Sequence, residues 1–218
     1  YGIALFWITG VHPLTWLGVP WLASLAIAAF CWLAITAWGI VLVFVWLLAM
    51  VVWEVTTART KVNSTFKNYL FILWGTASWS GLEILWSHSI LWWSPVAYTQ
   101  SPSQLHFLQW GAIGGPALLS AFIVAINGLL ALGLIDFLDG KTVNKNKQNW
   151  HYFLIAILIW LFCQGGGWLL YQKPLADAPE QKINVGIIQG NIPNQIKFNS
   201  EGWRRAIAGY TEGYKKLA

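Results

Sequence analysis

Residues 21–55 read WLASLAIAAFCWLAITAWGIVLVFVWLLAMVVWEV, with Glu54 as the sole charged side chain. A helix over this run would be about 50 Å long, well beyond the ~30 Å hydrocarbon core of a bilayer. It forms either one long tilted helix or two spans joined by a tight turn near Gly39. Three further apolar runs follow at Tyr69 to Trp93, Pro116 to Phe137 and Trp150 to Tyr171. Pro116 suits a first helical turn, where its missing N–H costs nothing. Gly165, Gly166 and Gly167 read as a loosening of the last run, with Pro174 as a stop signal. The segment Tyr1 to Thr9 is too short to span a bilayer and reads as the end of a helix or as interfacial chain. It lacks the basic region of a signal peptide.

Composition agrees with a membrane-embedded protein. Hydrophobic residues make up 57% of the chain and charged residues 10%, where a soluble domain carries about 25% charged residues. The 17 Trp residues suit a chain with extensive bilayer interface, because indoles favour the headgroup region. The net charge of +5 does not indicate nucleic acid. The basic residues lie in short loops and in the polar tail, without a basic stripe carrying base-stacking aromatics. Cys31 and Cys163 sit inside apolar runs, as small hydrophobes do, and the four histidines show no metal spacing.

Loop charge orients the spans. Gly10 to Pro20 and Ser94 to His106 contain no Lys or Arg, whereas Thr56 to Asn68 carries Arg59, Lys61 and Lys67, and Asp139 to Asn149 carries Lys141, Lys145 and Lys147. Short loops rich in Lys and Arg stay cytoplasmic. Arg59 and Lys145 are therefore expected inside, Tyr98 outside, and everything after Tyr171 outside. The alternation also favours a single helix over 21–55, since a hairpin there would put neutral and basic loops on one side.

The tail is of another kind. Residues 1–173 read as the transmembrane helical domain, 174–182 as a polar linker and 183–218 as the opening of a separate domain. Ile183 to Ile188 reads as a buried strand and Gln189 to Pro193 as a loop. Ser200 or Asn199 can cap a helix that sets Trp203, Ile207, Tyr210, Tyr214 and Leu217 on one face. Gly190 could supply a turn with positive φ. One strand and one helix do not make a stable domain, so the remainder is expected beyond this chain.

The stretch Ile183 to Phe198, INVGIIQGNIPNQIKF, resembles the entry into the nitrilase-like domain of the apolipoprotein N-acyltransferases. There a strand ending V-Q-G precedes N-I-P-Q and a Lys-aromatic pair. Here the matching residues are Ile188-Gln189-Gly190, Asn191-Ile192-Pro193 and Lys197-Phe198, with Asn194 inserted before Gln195. Upstream, Phe6-Trp7-Ile8, Trp79 with Glu83, Tyr98-Thr99-Gln100 and Asn127-Gly128-Leu129-Leu130 are similar to weaker family elements. Trp86 stands where the family often has Arg.

The resemblance implies a mainly α fold: a polytopic transmembrane bundle, then the first strand and helix of an incomplete α/β, nitrilase-like αββα sandwich. It implies an enzyme of the bacterial cytoplasmic (inner) membrane whose C-terminal domain is periplasmic. That enzyme moves an acyl chain from a phospholipid donor through a cysteine thioester to the N-terminal amine of a diacylglyceryl lipoprotein acceptor. The partners implied are thus these two lipids and the membrane, with no nucleic acid, no cofactor and no metal. The family's Glu-Lys-Cys triad falls downstream of Ala218, so this chain alone is expected to hold no catalytic residue and to be inactive.

Three residues are candidates for a substrate or lipid pocket: Glu83, Tyr98 and Gln100. Glu83 lies in the middle of an apolar run, where a carboxylate costs roughly 2.5–3.5 kcal/mol on insertion scales. It is either functional or a hydrogen-bonded carboxyl that locks helices together. As an ion-coupling site it would instead mark a transporter, although no internal repeat accompanies it. A third reading makes the bundle the anchor of some other nitrilase-like domain. Gly111 and Gly115 form a small-xxx-small pair, a sign of close helix packing.

Overall fold

The computed structural model describes residues 1–60, 63–91, 95–101, 103–139, 150–173, 185–193, 196–197 and 199–217. Lys61, the loop with Lys141, Lys145 and Lys147, the linker from Pro174 to Gln181, and Ile183, Asn184, Asn194, Gln195 and Phe198 lie outside them. Six α-helices are described: α1 (Trp21–Thr57), α2 (Ser64–Ser87), α3 (Leu105–Leu108), α4 (Gly111–Asp139), α5 (Trp150–Tyr171) and α6 (Ser200–Leu217). Three 3₁₀ turns, Phe6–Val11, Thr15–Leu17 and Val96–Gln100, accompany them. α1, α4 and α5 are long and apolar enough to cross a membrane. Two compact units are present, Trp38–Pro174 and Tyr1–Ala37 with Leu175–Ala218.

α1 is helical throughout its 37 residues, so the single-helix reading of 21–55 holds and Gly39 makes no turn. α5 has the bounds expected from its run. α2 begins earlier than its apolar run, because the Asn63 side chain accepts the Thr65 N–H and caps it. In α4, non-helical backbone at Gly114 and Gly115 breaks the first turn from the rest, and Gly115 has φ 63°. Regular helix thus starts at Pro116, where a ring without N–H is tolerated. Gly115 is a kink residue with no neighbour where a side chain would stand, which corrects the packing role read from the Gly111–Gly115 pair.

Within Trp38–Pro174, α4 lies between α2 and α5, with α3 against α5. The α1–α2 seam is antiparallel and built from indoles. The Trp46 Nε1–H donates to the Gly75 carbonyl at 2.8 Å, and the Trp74 Nε1–H donates to Ala49 at 2.9 Å. Trp38 stacks on Trp86 and Trp53 on Trp74, while Trp46 meets Trp79 edge to face. These partly buried rings bring a large apolar surface and donors that seek partners: helix carbonyls take those of Trp46, Trp74 and Trp86 and the Ser89 hydroxyl takes that of Trp38, while those of Trp53 and Trp79 have no partner among the described residues. Two small cores flank α4. Ala97, Phe107, Leu119 and Cys163 form one, and Leu129, Tyr152 and Ala156 the other.

The three glycines of α5 do not loosen it; all are helical. A Cβ at Gly167 would fall on the His106 carbonyl oxygen, and one at Gly166 on the Trp110 ring. Gly166 and Gly167 are the notch that lets α3 approach the α5 backbone, and the Trp110 Nε1–H donates to the Cys163 carbonyl beside it at 2.8 Å.

In the other unit, the N-terminal segment lies along α1. The buried Ser24 hydroxyl accepts the Leu14 N–H at 2.7 Å and bonds His12 Nδ1 at 2.8 Å, and the Trp32 Nε1–H donates to the Gly2 carbonyl at 2.8 Å. α6 is capped by Asn199, whose Oδ1 accepts the Glu201 and Gly202 N–H groups. Two exposed i,i+4 ion pairs, Arg205–Glu201 and Lys216–Glu212, run along it.

Among the described residues there is no strand. The strand expected over Ile183 to Ile188 is not formed at Val185–Ile188, so nothing here supports the nitrilase-like domain. A strand exists only by hydrogen bonding to a second edge, and no described segment offers one. Residues 185–190 instead follow α6 in the opposite direction. Places for a Cβ at Gly186, Gly213 and Gly190 lie against Leu217, Ile188 and Tyr210 respectively. Gly213, on the side of α6 so covered, is half-buried, and Gly202 is buried under the Ile196 carbonyl. Of the aromatic stripe read from the sequence, Tyr210 and Leu217 border this segment, whereas Trp203 and Tyr214 are left exposed, at 64% and 69%. Positive φ in this segment belongs to Asn191, not Gly190.

Candidate functional site

The loop that enters α3 is held by side chains of two different helices. Val96 and Ala97 open the 3₁₀ turn Val96–Gln100, and their N–H groups have no partner within it. Pro95 precedes them and offers no side-chain cap. Glu83, from the last turns of α2, supplies one with Oε1, which accepts the Val96 N–H at 2.8 Å. Ser120 of α4 supplies the other, its Oγ accepting the Ala97 N–H at 3.2 Å. Glu83 is only 2% exposed and Ser120 fully buried. The second carboxyl oxygen, Oε2, is buried and has no partner among the described residues. The carboxyl thus ties α2 to the loop.

The same loop brings Tyr98 and Gln100 within a turn of this clamp. Tyr98 is 56% exposed and lines neither of the two cavities described next. Gln100 donates to Thr99 Oγ1 at 3.0 Å and borders a cavity of about 170 Å³ with Gln104, Asn127, Trp160 and Gln164. Gln164 Nε2 donates to Gln104 Oε1 at 2.8 Å, while Gln164 Oε1 is buried without a partner. Gln104 and Gln164 were not singled out in the sequence. The available signal was a lone carboxamide inside the apolar run of α5.

A larger groove of about 550 Å³ lies between α1, α2 and α4. Trp46, Met50, Ile72, Trp79, Ile123 and Ala131 are among its walls. Its glycines set the helix spacing: a Cβ at Gly75 would press on Met50, and one at Gly128 on Ile72. Ile123 and Asn127 border both cavities, so the apolar groove and the amide-lined pocket share a wall. Glu83 borders neither.

The histidines stand apart from these cavities. His88 Nδ1 bonds the Ile84 carbonyl of its own helix at 2.8 Å, and His106 packs edge-on against Tyr171. No metal-binding set of His, Cys, Asp and Glu occurs among the described residues. Cys163 is buried among Ala97, Phe107 and Leu119, with no base in that cluster. Cys31 is an exposed residue of α1.

These features are those of a multi-pass helical membrane protein with an apolar groove between its helices. Its relatives narrow the class further. A protein of Synechocystis sp. named apolipoprotein N-acyltransferase is 95% identical over 217 residues, which is all of this chain and 42% of that protein. Proteins of the same name from Nostoc sp. and Thermosynechococcus vestitus are 44% and 37% identical over the whole chain, which spans 40% and 38% of their lengths. The chain belongs to the apolipoprotein N-acyltransferase family. It spans about two fifths of the length of these curated relatives. No family model matches it, and no solved structure does.

Proposed function

We propose that this chain is the lipid-holding, membrane-embedded part of an apolipoprotein N-acyltransferase of the bacterial inner membrane. The observation that carries this reading is the 550 Å³ apolar groove between α1, α2 and α4, in a chain whose relatives bear an acyltransferase name. α2 acts as a fourth span: its 24 residues rise about 36 Å as a helix. The Lys and Arg alternation puts Arg59 and Lys145 in the cytoplasm, and Val96–Gln100 and α6 on the periplasmic side.

In the reaction implied, an enzyme thiolate attacks the ester carbonyl of a phospholipid. The ester C–O bond breaks, and the lysolipid leaves as an alcohol after taking a proton. The amine of a diacylglyceryl-cysteine then attacks the thioester, forming an amide and returning the thiol. Cys163, walled in by apolar side chains, does not suit that role, and the family resemblance puts the Glu-Lys-Cys triad downstream of Ala218. The bundle's contribution is placement. Holding reactants in register can lower a barrier by about 7–11 kcal/mol in the best cases. Apolar walls suit an acyl chain, and the loop clamped by Glu83 and Ser120 stands where its ester would emerge. Ion-coupled transport through Glu83 has no observation in its favour, since the carboxyl serves the loop.

The test is photolabelling of the full chain in bilayers with a phospholipid carrying a diazirine in its tail. Labels are expected on Trp79 and on the α4 segment 123–135. Ala131→Trp, which fills the groove, should lower them several-fold. Labelling of those residues that is unchanged by Ala131→Trp would refute the groove as the acyl site. In an assay of acyl transfer from phospholipid to a diacylglyceryl peptide, the full-length enzyme is expected to turn over and this chain is not.

A further inference from the structure

We propose that the amide-lined pocket beside Gln164 binds a hydroxyl-bearing glycerol linkage, so that groove and pocket together also take a single-tailed neutral amphiphile such as a monoacylglycerol, besides the phospholipid whose tail the groove holds. The proposal rests on the reading that the groove holds an acyl chain and adds what recognises the other end of the molecule. Three observations meet here. The pocket shares Ile123 and Asn127 with the groove, so the two adjoin along one turn of α4, within the reach of a linkage whose tail lies in the groove. Its polar walls, Gln100, Gln104, Asn127 and Gln164, are all uncharged carboxamides. One Gln164 polar atom is buried and has no partner among the described residues, whereas buried polar groups of folded proteins ordinarily find one.

Size and charge narrow the ligand. About 170 Å³ is below the roughly 300–1,000 Å³ of pockets that hold whole drug-sized molecules. It suits a linkage rather than a complete headgroup. No Lys, Arg or His borders it, so a phosphate inside it would be desolvated without a counter-charge, which is costly, and a phospholipid held in the groove keeps its headgroup outside the pocket. Esters offer only acceptors. The unsatisfied Gln164 atom is an acceptor as its amide is oriented, and exchanging oxygen and nitrogen in both Gln104 and Gln164 would preserve their bond and leave Gln164 with a donor. A hydroxyl both donates and accepts, so it completes the pair in either arrangement. The second Gln100 amide hydrogen remains available to an ester carbonyl, since its bond to Thr99 uses one of two.

The experiment uses the full chain in lipid nanodiscs, photolabelled by a diazirine-tailed monoacylglycerol. Two unlabelled competitors with the same tail follow: the monoacylglycerol, and the methyl ester, which keeps the acceptors and lacks the hydroxyls. The monoacylglycerol is expected to compete about five- to tenfold better, the size of one well-made buried hydrogen bond. In Gln104→Met/Gln164→Met, which removes both amides together, the two competitors should come within twofold of each other while methyl ester competition stays unchanged. Equal competition on the parent chain would mean that the pocket holds only water and would overturn the proposal, whether or not the variant folds. A preference that survives in the double variant would overturn it too, because the hydroxyl is then read elsewhere. Absence of any label from segment 123–135 would instead remove the acyl groove itself and this proposal with it. Failure of the pocket alone leaves that label in place.

Discussion

Replacing Glu83 by leucine separates the two readings of a carboxyl inside a membrane helix, and the structure sets the size of the effect. Oε1 accepts the Val96 N–H at 2.8 Å, and the side chain is 2% exposed. Leucine fills similar space but leaves the Val96 N–H unpaired, at a cost of about 1–3 kcal/mol. A gain of opposite sign comes from removing Oε2, which is buried without a partner. The net loss for Glu83→Leu should therefore be about 1–2 kcal/mol, within that range and below its top. Glutamine keeps an oxygen for Val96, so Glu83→Gln should stay within about 1 kcal/mol of the parent. The buried Cys163 packs in the same cluster as Ala97 and supplies the readout. In a Cys31→Ala background, a thiol-reactive fluorophore reports its exposure as detergent-solubilised protein is heated. The expected order of midpoints is parent, Gln, Leu, with the Leu variant lower by about 2–8 °C for a chain of this size. A Leu variant as stable as the parent would refute the clamp. An equal fall for Gln and Leu would show that charge, not the Val96 hydrogen bond, matters there.

Two further outcomes are expected. Gly167→Ala puts a methyl on the His106 carbonyl, so α3 must retreat from α5. Its Cys163 should label several-fold faster than in the parent at room temperature, whereas Gly165→Ala, at a glycine with no close neighbour, should leave the rate unchanged. For orientation, single cysteines placed at Lys145 and Asn191 should react with a membrane-impermeant reagent in intact cells only at position 191; labelling at 145 alone would reverse the topology.

The sequence by itself determined the helical membrane character, the extents of α1 and α5, the start of regular helix at Pro116, the cap of α6 to within Asn199 or Ser200, and the family. All of these are encoded locally. Apolar run length measures a bilayer, a proline marks a first turn, and an Asn before a helix accepts its free N–H groups. The isolation of Glu83 in an apolar run was equally legible, and so was the need for a partner there.

Which partner it takes was decided by the tertiary structure. Glu83 reaches Val96 across 13 positions, and Gln164 reaches Gln104 across 60. Nothing in hydropathy or spacing records such distances. The three glycines of α5 show the same limit. A glycine run looks like a breaker by its backbone freedom, yet here the missing side chains of Gly167 and Gly166 make room for the His106 carbonyl and the Trp110 ring. On α6, periodicity located an aromatic stripe, but residues 185–190 pack along one edge of it, against Gly213, Tyr210 and Leu217, and leave Trp203 and Tyr214 exposed. The strand expected in the tail depended on a second edge that lies nowhere among the described residues. Periodicity reports which side of a segment is apolar; only the assembled helices decide which groups come within bonding distance, because that depends on the room left between them.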